Sequence, residues 1–363
     1  MNIFLDAYLN NNLGDDLMID YLCKRYPKHI FYICNNNNVK SVSIKNKNLI
    51  IMDAITPYNY QKIRRLINRI IAFWRIPKIQ LIKHFRRRPY DARIELGGSI
   101  FMQITPKSWI NKVRDSKYIL GNTHLNLIVN CNFGPYSDAR FRDEHELLFK
   151  KFNKVVFRDK YSYSLFKTLD NCLCFPDLVF NMKFDHNPNT NIVGISVIST
   201  DNVGIKDYKE MYIKNLITLI DSLKINSHVV LLSFCEAEGD LITCNKIIQR
   251  GRYEHHEVEI FNHENLYSTL GMIKQMSSMV CTRFHANVIA IKMGIPFLPV
   301  IYSEKTESML KDFDYKGYKW NIKNGTSLDY ELAKEQLSHI PSINYEYIEE
   351  AEGHLNVLDT FLA

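Results

Sequence analysis

The stretch S-S-M-V-C-T-R-F-H-A-N-V-I-A-I-K-M-G-I-P-F-L-P-V-I-Y-S-E-K, residues 277–305, decides the fold. An apolar run into Thr282 predicts a buried strand, residues 286–293 a helix, and residues 296–301 a second buried strand. Gly294 stands where a helix C-cap is expected. A strand–helix–strand unit of this kind belongs to a parallel sheet, and open parallel sheets bind their ligands at the carboxyl ends of the strands.

Three polar side chains stand at those strand ends. Arg283 and His285 follow the first strand through a turn predicted at residues 283–285, and Lys305 follows the second strand. The charged fork of arginine matches a carboxylate or a phosphate, and histidine moves a proton near neutral pH. A short R-x-H is equally common as a structural feature. Because both residues interrupt an apolar run at a strand–helix junction, we predict that Arg283 and His285 are catalytic and that Lys305 faces the same cleft.

The length and composition indicate a two-domain globular protein. A chain of 363 residues accommodates two domains of about 150–200 residues each. No apolar run reaches the roughly 18–20 residues that a membrane span needs, and residues 1–6 look like a first strand and not like a secretory leader. The eight cysteines contain no C-x-x-C pair, which indicates reduced thiols. We therefore expect a cytoplasmic protein without a metal site.

Positive charge is concentrated in residues 61–88. This segment has no acidic residue, and its apolar residues, including Trp74, recur at helical spacing until Pro77. A basic amphipathic helix fits the surface of an anionic membrane, while a surface helix packed on the sheet is the alternative. No nucleic-acid-binding module accompanies the segment, so nucleic acid is not an expected partner. The basic residues are Lys62, Arg64, Arg65, Arg69, Arg75, Lys78, Lys83, Arg86, Arg87 and Arg88.

Loops that follow strands supply further candidate residues in the first half of the chain. After a strand at residues 3–9, the backbone amides of Gly14 and Asp15 could hold an anion at a helix start near Asp15. Asp15 could instead cap that helix together with Asp16, which is the commoner arrangement. The paired glycines Gly97 and Gly98, followed by Ser99, permit close approach of a ligand or of another backbone.

Two more residues of the first half are candidates. Arg158 directly follows a strand predicted at residues 154–157, where it would bind an anion or form a salt bridge with Asp159 or another carboxylate. His124 precedes a strand at residues 125–131, and we predict that it faces the cleft.

The alternation of strands and helices restarts after a polar stretch at residues 182–191. We therefore predict an N-terminal domain, residues 1–181, a C-terminal domain, residues 192–340, and a closing helix within residues 341–363 that crosses back to the first domain. The fold class is α/β, with two doubly wound, Rossmann-like domains. Two such domains in tandem, in a chain without G-x-G-x-x-G, P-loop or G-x-S-x-G motifs, resemble the GT-B architecture, whose active site lies in the interdomain cleft.

Short motifs along the chain resemble, in their order and spacing, those of the polysaccharide pyruvyl transferase family. They are N-x-x-G-D-D (11–16), G-G-S (97–99), N-F-G-P (132–135), F-R-D-x-x-S (157–162), P-D-L-V-F (176–180), G-I-S (194–196), T-R-F-H-A (282–286), G-I-P (294–296) and Y-S-E-K (302–305). Many members have three glycines where this chain has G-G-S, and the segment 61–88 has no fixed counterpart in the family.

The resemblance implies transfer of a pyruvyl group from phosphoenolpyruvate to two hydroxyls of one sugar in bacterial cell-surface polysaccharide biosynthesis, such as that of exopolysaccharide or capsule. It maps the R-x-H residues onto Arg283 and His285, and the arginine of F-R-D onto Arg158. These residues and Lys305 are expected to bind phosphoenolpyruvate, with His285 as the acid or base. No metal or cofactor besides this donor is expected.

The acceptor and two rival functions remain open at this point. A basic, aromatic-containing segment would suit a lipid-diphosphate-linked sugar at the inner face of the membrane. A GT-B glycosyltransferase with a nucleotide-sugar donor is the first rival, because Arg283, His285 and the G-D-D loop would also suit a nucleotide diphosphate. The second rival is a non-catalytic, membrane-docked protein that binds anionic glycans.

Overall fold

The computed structural model describes residues 1–35, 39, 42–53, 90–105, 109–110, 113, 116, 120, 123–201 and 205–363. The basic segment 61–88 lies outside these residues, so its predicted membrane contact is not tested. None of the helices in the described part of the chain combines the length and the apolar character that a membrane span requires.

The first half of the chain forms a seven-stranded sheet in the order β3-β2-β1-β4-β5-β6-β7, and every pair of neighbouring strands is parallel. The strands predicted at residues 125–131 and 154–157 are confirmed, and the strand predicted at residues 3–9 begins one residue earlier and ends three residues earlier. The strands are β1 (Asn2–Asp6), β2 (Ile30–Asn35), β3 (Leu49–Asp53), β4 (Ala92–Leu96), β5 (Leu125–Cys131), β6 (Lys154–Phe157) and β7 (Cys172–Cys174).

The second half forms a six-stranded parallel sheet in the order β10-β9-β8-β11-β12-β13. Both sheets thus have a doubly wound order, in which the order of the strands reverses beside the first strand. Open sheets of this kind bind their ligands at the carboxyl ends of the strands where the order reverses. The two-sheet α/β prediction is confirmed. The strands are β8 (Asn189–Val197), β9 (His228–Ser233), β10 (Glu257–Asn262), β11 (Met276–Cys281), β12 (Phe297–Ile301) and β13 (Trp320–Asn321).

Helices connect the strands and cover the sheets. Those that position the candidate site begin directly after a strand or its loop, at the carboxyl edge. The helices of the described residues are α1 (Leu13–Arg25), α2 (Ala139–Phe149), α3 (Lys160–Ser164), α4 (Lys209–Asp221), α5 (Asp240–Arg250), α6 (Leu266–Ile273), α7 (Phe284–Met293), α8 (Glu304–Asp312), α9 (Tyr330–Gln336), α10 (Tyr345–Glu349) and α11 (Glu352–Leu362).

Two predicted helix starts are wrong by two residues. Helix α1 begins at Leu13, because the side chain of Asn12 caps it by accepting from the Gly14 amide. Helix α7 begins at Phe284, so His285 lies in its first turn and not in a loop. Both shifts move the candidate residues onto helix N-termini that face the carboxyl edges of the sheets.

A buried polar pair joins the two halves of the molecule. Asp16 of α1 is fully buried, and its Oδ2 lies 2.9 Å from Nε2 of His263, which follows β10. Nδ1 of His263 lies 2.7 Å from the hydroxyl of Thr269 in α6, and the Ser43 hydroxyl donates to Asp16. The backbone amide of Leu13 also donates to Phe234 of the second half at 3.1 Å. These contacts fix the N-terminus of α1 against the second sheet.

The end of the chain returns to the first half, as predicted, but as two helices. Helix α10 ends at Glu349 and α11 starts at Glu352. From α11, Asp359 accepts hydrogen bonds from Arg25, at 2.5 Å, and from Tyr26, at 2.6 Å. The last turn of the chain therefore packs on the C-terminal end of α1.

Candidate active site

The loop G-G-S after β4 is the point at which three elements of the two halves meet. Asp15 Oδ1 of α1 lies 3.6 Å from the position that a Cβ would take on Gly97. A Cβ on Gly98 would overlap the guanidinium of Arg158, which follows β6. Ser99 Oγ lies 3.4 Å from Nζ of Lys305 in α8 of the second half. Three consecutive residues thus lie beside one carboxyl group and two cationic side chains.

Two glycines are required in this loop for different reasons. Gly97 has a φ angle of +144°, which residues with a side chain rarely adopt. Gly98 is instead required by space, because the Arg158 guanidinium occupies the volume that any side chain would need. The sequence predicted that a ligand or another backbone approaches these glycines closely. At Gly98 the group that does so is a protein side chain, the guanidinium of Arg158.

Arg158 is held rigidly by groups from three of the sequence motifs. Its Nε donates to Asn132 Oδ1 at 2.6 Å, and its Nη1 donates to Asp177 Oδ2 at 2.8 Å. The guanidinium lies 3.9 Å from the ring centroid of Phe284, a cation–π contact. Asp159 does not pair with Arg158 but binds Asn132 instead and caps α3. Nη2 makes no hydrogen bond to the described residues and lies against Gly98.

His285 is a buried imidazole beside this ion pair. Its Nε2 lies 3.7 Å from Asp177 Oδ2, and its Nδ1 side lies against the Cα of Gly14. Burial lowers the pKa of His285, as do Arg158 and Lys305, and the carboxylate of Asp177 opposes them only in part. The ring is therefore neutral at pH 7 and can accept a proton.

Asp177 is the carboxylate that binds Arg158 and lies 3.7 Å from His285. Burial alone would raise its pKa, but His285 and Arg158 lower the pKa of Asp177 well below its usual range. Helix α11 contacts the residue before Asp177, because His354 Nε2 lies 3.0 Å from the carbonyl oxygen of Pro176. The C-terminal return of the chain thus reaches the candidate site.

Arg283 lies at the predicted strand end, but its fork is already occupied. Nε donates to Asp240 Oδ2 at 2.8 Å and Nη2 donates to Asp240 Oδ1 at 2.5 Å. Nη1 donates to Glu238 Oε2 at 2.6 Å. Each guanidinium nitrogen is therefore bound to a carboxylate of the same half. The prediction of an open anion-binding fork at Arg283 is wrong, because partners more than 40 residues earlier in the chain neutralise it.

Asp15 is the residue of the G-D-D loop that faces the site. It neither caps α1 nor forms an ion pair with any described residue; Asn12 and Asp16 perform the structural roles. Burial raises the pKa of Asp15 to about 7, with Asp16 and Glu238 acting in the same direction against Arg158 and Lys305. Near neutral pH this carboxyl group is therefore partly protonated.

His124 is not part of this cluster. It is exposed and precedes the amino end of β5, whereas the site lies at the carboxyl ends of the strands. Because all strands of the sheet are parallel, His124 lies at the opposite edge. The prediction that it faces the cleft is therefore wrong.

Three residues that complete the cluster were not predicted as site residues. Asn132, Asp177 and Phe284 fix Arg158, and they belong to the N-F-G-P, P-D-L-V-F and T-R-F-H-A motifs. Their signal was the presence of an acid, an amide and an aromatic ring inside motifs that end strands. Among the described residues, no group of three or more His, Cys, Asp or Glu side chains is placed to hold a metal ion.

Comparison with solved structures supports the fold. The chain is similar to S. aureus MnaA, from a co-structure with UDP, with a TM-score of 0.60 and 13% identity over 99% of this chain and 96% of that one. It is also similar to Anabaena Alr3699/HepE, solved with UDP-glucose, with a TM-score of 0.55 and 11% identity over 99% of each chain. These neighbours and the two parallel sheets establish the GT-B-like, two-domain fold.

Comparison with known sequences identifies the family. A search of curated proteins finds no match. The pattern of the family described as polysaccharide pyruvyl transferase, however, matches residues 12–304, from the cap of α1 to the start of α8. This range contains Asp15, the G-G-S loop, Arg158, Asp177 and His285, and it ends one residue before Lys305. The chain therefore belongs to the polysaccharide pyruvyl transferase family.

Proposed function

We propose that this protein transfers a pyruvyl group from phosphoenolpyruvate to two hydroxyls of one sugar, forming a cyclic ketal, in bacterial cell-surface polysaccharide biosynthesis. Membership of the family supports the reaction class and a glycan acceptor. The observation that carries the choice of donor is the convergence of Arg158 and Lys305 on the G-G-S loop, with the neutral imidazole of His285 beside the ion pair of Arg158 and Asp177.

The donor is a small molecule with a carboxylate and a phosphate, and it needs fixed cations. Arg158 presents Nη2 at the loop while its other nitrogens are anchored, so little entropy is lost when an anion binds. Lys305 supplies a second positive charge beside Ser99. We assign donor binding to these two residues. Arg283 instead stabilises the start of α5 through Asp240.

The chemistry requires proton transfers and no metal ion. Protonation of the methylene carbon makes the central carbon electrophilic, one sugar hydroxyl attacks it, phosphate leaves, and the second hydroxyl closes the ring. We assign to His285 the exchange of a proton with these groups, because it is neutral and lies beside the carboxylate of Asp177. Arg158 and Lys305 neutralise the departing phosphate.

Incubation of the purified protein with phosphoenolpyruvate and a panel of sugar acceptors tests this function. We expect phosphate release together with a mass gain on one sugar, and we expect His285→Ala to lose transfer while keeping its melting temperature. Phosphoenolpyruvate should raise the melting temperature of the wild type. Stabilisation by UDP-sugars but not by phosphoenolpyruvate would favour a glycosyltransferase instead.

The acceptor we propose is a sugar linked to a lipid diphosphate. The support is the basic, aromatic-containing composition of residues 61–88, which suits the anionic inner face of a membrane. Sedimentation with anionic vesicles, compared with neutral vesicles, tests this contact. Equal recovery in the supernatant with both vesicle types would remove the argument for a membrane-bound acceptor.

A further inference from the structure

Asp15 is a carboxyl group at the candidate site that the roles above leave unused. It lies in the first turn of α1, and its Oδ1 faces Gly97, whose neighbour in the loop contacts Arg158. The residue before it, Gly14, lies against the ring of His285. The chain thus brings Asp15 near both the guanidinium that is assigned to the donor and the imidazole.

The carboxyl group of Asp15 is unpaired in a crowded charged setting. It is half-buried, and no described residue donates a hydrogen bond to it or forms an ion pair with it. Its pKa of about 7 reflects burial first, and then the negative charges of Asp16 and Glu238, which Arg158 and Lys305 oppose. The charged and titratable groups that face it are Asp16 of α1, Tyr8 before α1, Glu238 before α5, Arg158 after β6, Lys305 of α8 and His285 of α7.

We propose that Asp15 is the acid that protonates the methylene carbon of the donor, and that His285 is the base that deprotonates the acceptor hydroxyl. This inference rests on the proposed function. It divides between two residues the acid and base roles that the sequence assigned to His285 alone.

The proton transfers balance with these two groups. The O–H bond of Asp15 breaks as a C–H bond forms at the methylene carbon. The first sugar oxygen bonds to the central carbon and its proton passes to His285. The bond between the central carbon and the phosphate oxygen then breaks, and phosphate leaves with the proton from His285. The second sugar oxygen closes the ring, and its proton returns to Asp15.

Donor binding itself should load Asp15 with its proton. With Asp15 ionised, Arg158, Lys305 and Arg283 face five carboxylates, those of Asp15, Asp16, Asp177, Glu238 and Asp240. An anionic donor then enters a site with a surplus of negative charge. Uptake of one proton by Asp15 reduces that surplus, so binding and protonation favour each other.

Asp15→Asn tests the proposal, because it removes the acid and keeps the shape. We expect kcat to fall by about 100- to 10,000-fold, while the melting-temperature shift with phosphoenolpyruvate is kept or increased at pH 8. Calorimetry of phosphoenolpyruvate binding at pH 8, in two buffers that differ in ionisation enthalpy, should show proton uptake by the wild type and none by the variant.

Two further variants keep the test decisive. Asp15→Glu retains an acid, so it should recover part of the rate and shift the alkaline limb of the pH–rate profile. Asp16→Asn is the matched control next in sequence: it should lower thermal stability by breaking the contact with His263. The alkaline limb of its pH–rate profile should remain but move to lower pH. The reason is that loss of the negative charge of Asp16 lowers the pKa of Asp15.

The outcomes separate this proposal from the proposed function. Transfer by Asp15→Asn within about threefold of an active wild type, or an unchanged alkaline limb in Asp15→Asn or Asp15→Glu, would overturn the role of Asp15 and leave pyruvyl transfer standing. A wild type that neither binds phosphoenolpyruvate nor releases phosphate from it would overturn both.

Discussion

Arg158 and Arg283 each follow a buried parallel strand, yet the two sites are built differently. Arg158 pairs with one carboxylate, Asp177, and with the neutral amide of Asn132, which leaves Nη2 facing the G-G-S loop. Arg283 is bound by two carboxylates, those of Asp240 and Glu238. The Arg158 cluster is therefore neutral and the Arg283 cluster carries a negative charge. An anionic donor is attracted to the former.

The difference shows that position at a strand end does not decide what an arginine does. Both side chains are charged at any accessible pH, and both stand at the edge where open sheets bind ligands. The number of carboxylates within reach decides whether the fork is free. Variants of the two arginines should therefore fail in different ways.

The largest expected effect is that of Arg158→Lys on transfer. Lysine keeps the positive charge beside buried Asp177, but one ammonium cannot replace the fork that binds Asn132, Asp177 and the donor together. We expect kcat/KM for phosphoenolpyruvate to fall by about 1,000-fold, roughly 4 kcal/mol. Initial rates of phosphate release at varied donor concentration measure it. A larger loss in a folded Arg283→Lys variant would reverse our assignment of the two arginines.

Arg283→Met should instead act mainly on stability. It leaves the carboxylate of Asp240, which is 0% exposed, without its partner, and an uncompensated buried charge costs about 3–5 kcal/mol. Urea unfolding of the variant and the wild type measures this cost. The double variant Arg283→Met/Asp240→Asn should recover part of it, because no charge is then left unpaired. Equal stability of the single and double variants would show that the pair is not coupled.

Asp15→Asn should change stability in the direction opposite to that of the arginine variants, and only at high pH. The folded-state pKa of about 7 lies above the ordinary value of 3.8, so ionisation of Asp15 is disfavoured in the folded protein. The wild type therefore loses stability as the pH rises from about 4 through 7. At pH 8 the variant should be more stable by on the order of 1–3 kcal/mol, and at pH 4 the two should be equal. Thermal unfolding across this range measures the difference, and parallel curves would contradict the shifted pKa.

The sheets were predictable because their signal is local. Apolar runs such as the one into Thr282, bounded by glycine and polar residues, determine strands within a window of a few residues. The motif order also located Arg158, His285 and the G-G-S loop correctly at carboxyl edges. The start of α1 differs from the prediction by two residues because Asn12, and not the equally suitable Asp15, caps this helix.

The pairing of charges was not predictable, because it depends on contacts between distant parts of the chain. Arg283 is neutralised by Glu238, 45 residues away, and His285 lies beside Asp177 of the other half of the molecule. His124 precedes its strand, and it can be assigned to the amino edge of the sheet only once all the strands are known to be parallel. Local pattern therefore locates the edge of the site, and only the fold shows which groups remain free there.

The smallest effect expected is that of Lys305→Gln, and it tests whether charge alone matters on the Lys305 side. Lys305 lies in the first turn of α8, where the helix dipole disfavours a cation, so its position does not serve helix stability. Its Nζ contacts Ser99 at 3.4 Å and is half-buried. We expect KM for phosphoenolpyruvate to rise about tenfold, roughly 1.4 kcal/mol, with unfolding free energy changed by less than about 0.5 kcal/mol.

Lys311→Gln, an exposed change of the same charge in the last turn of the same helix, is the matched control and should leave KM unchanged. If both variants raise KM equally, the effect is one of net charge, and Arg158 would be the only cation that we still assign to the donor.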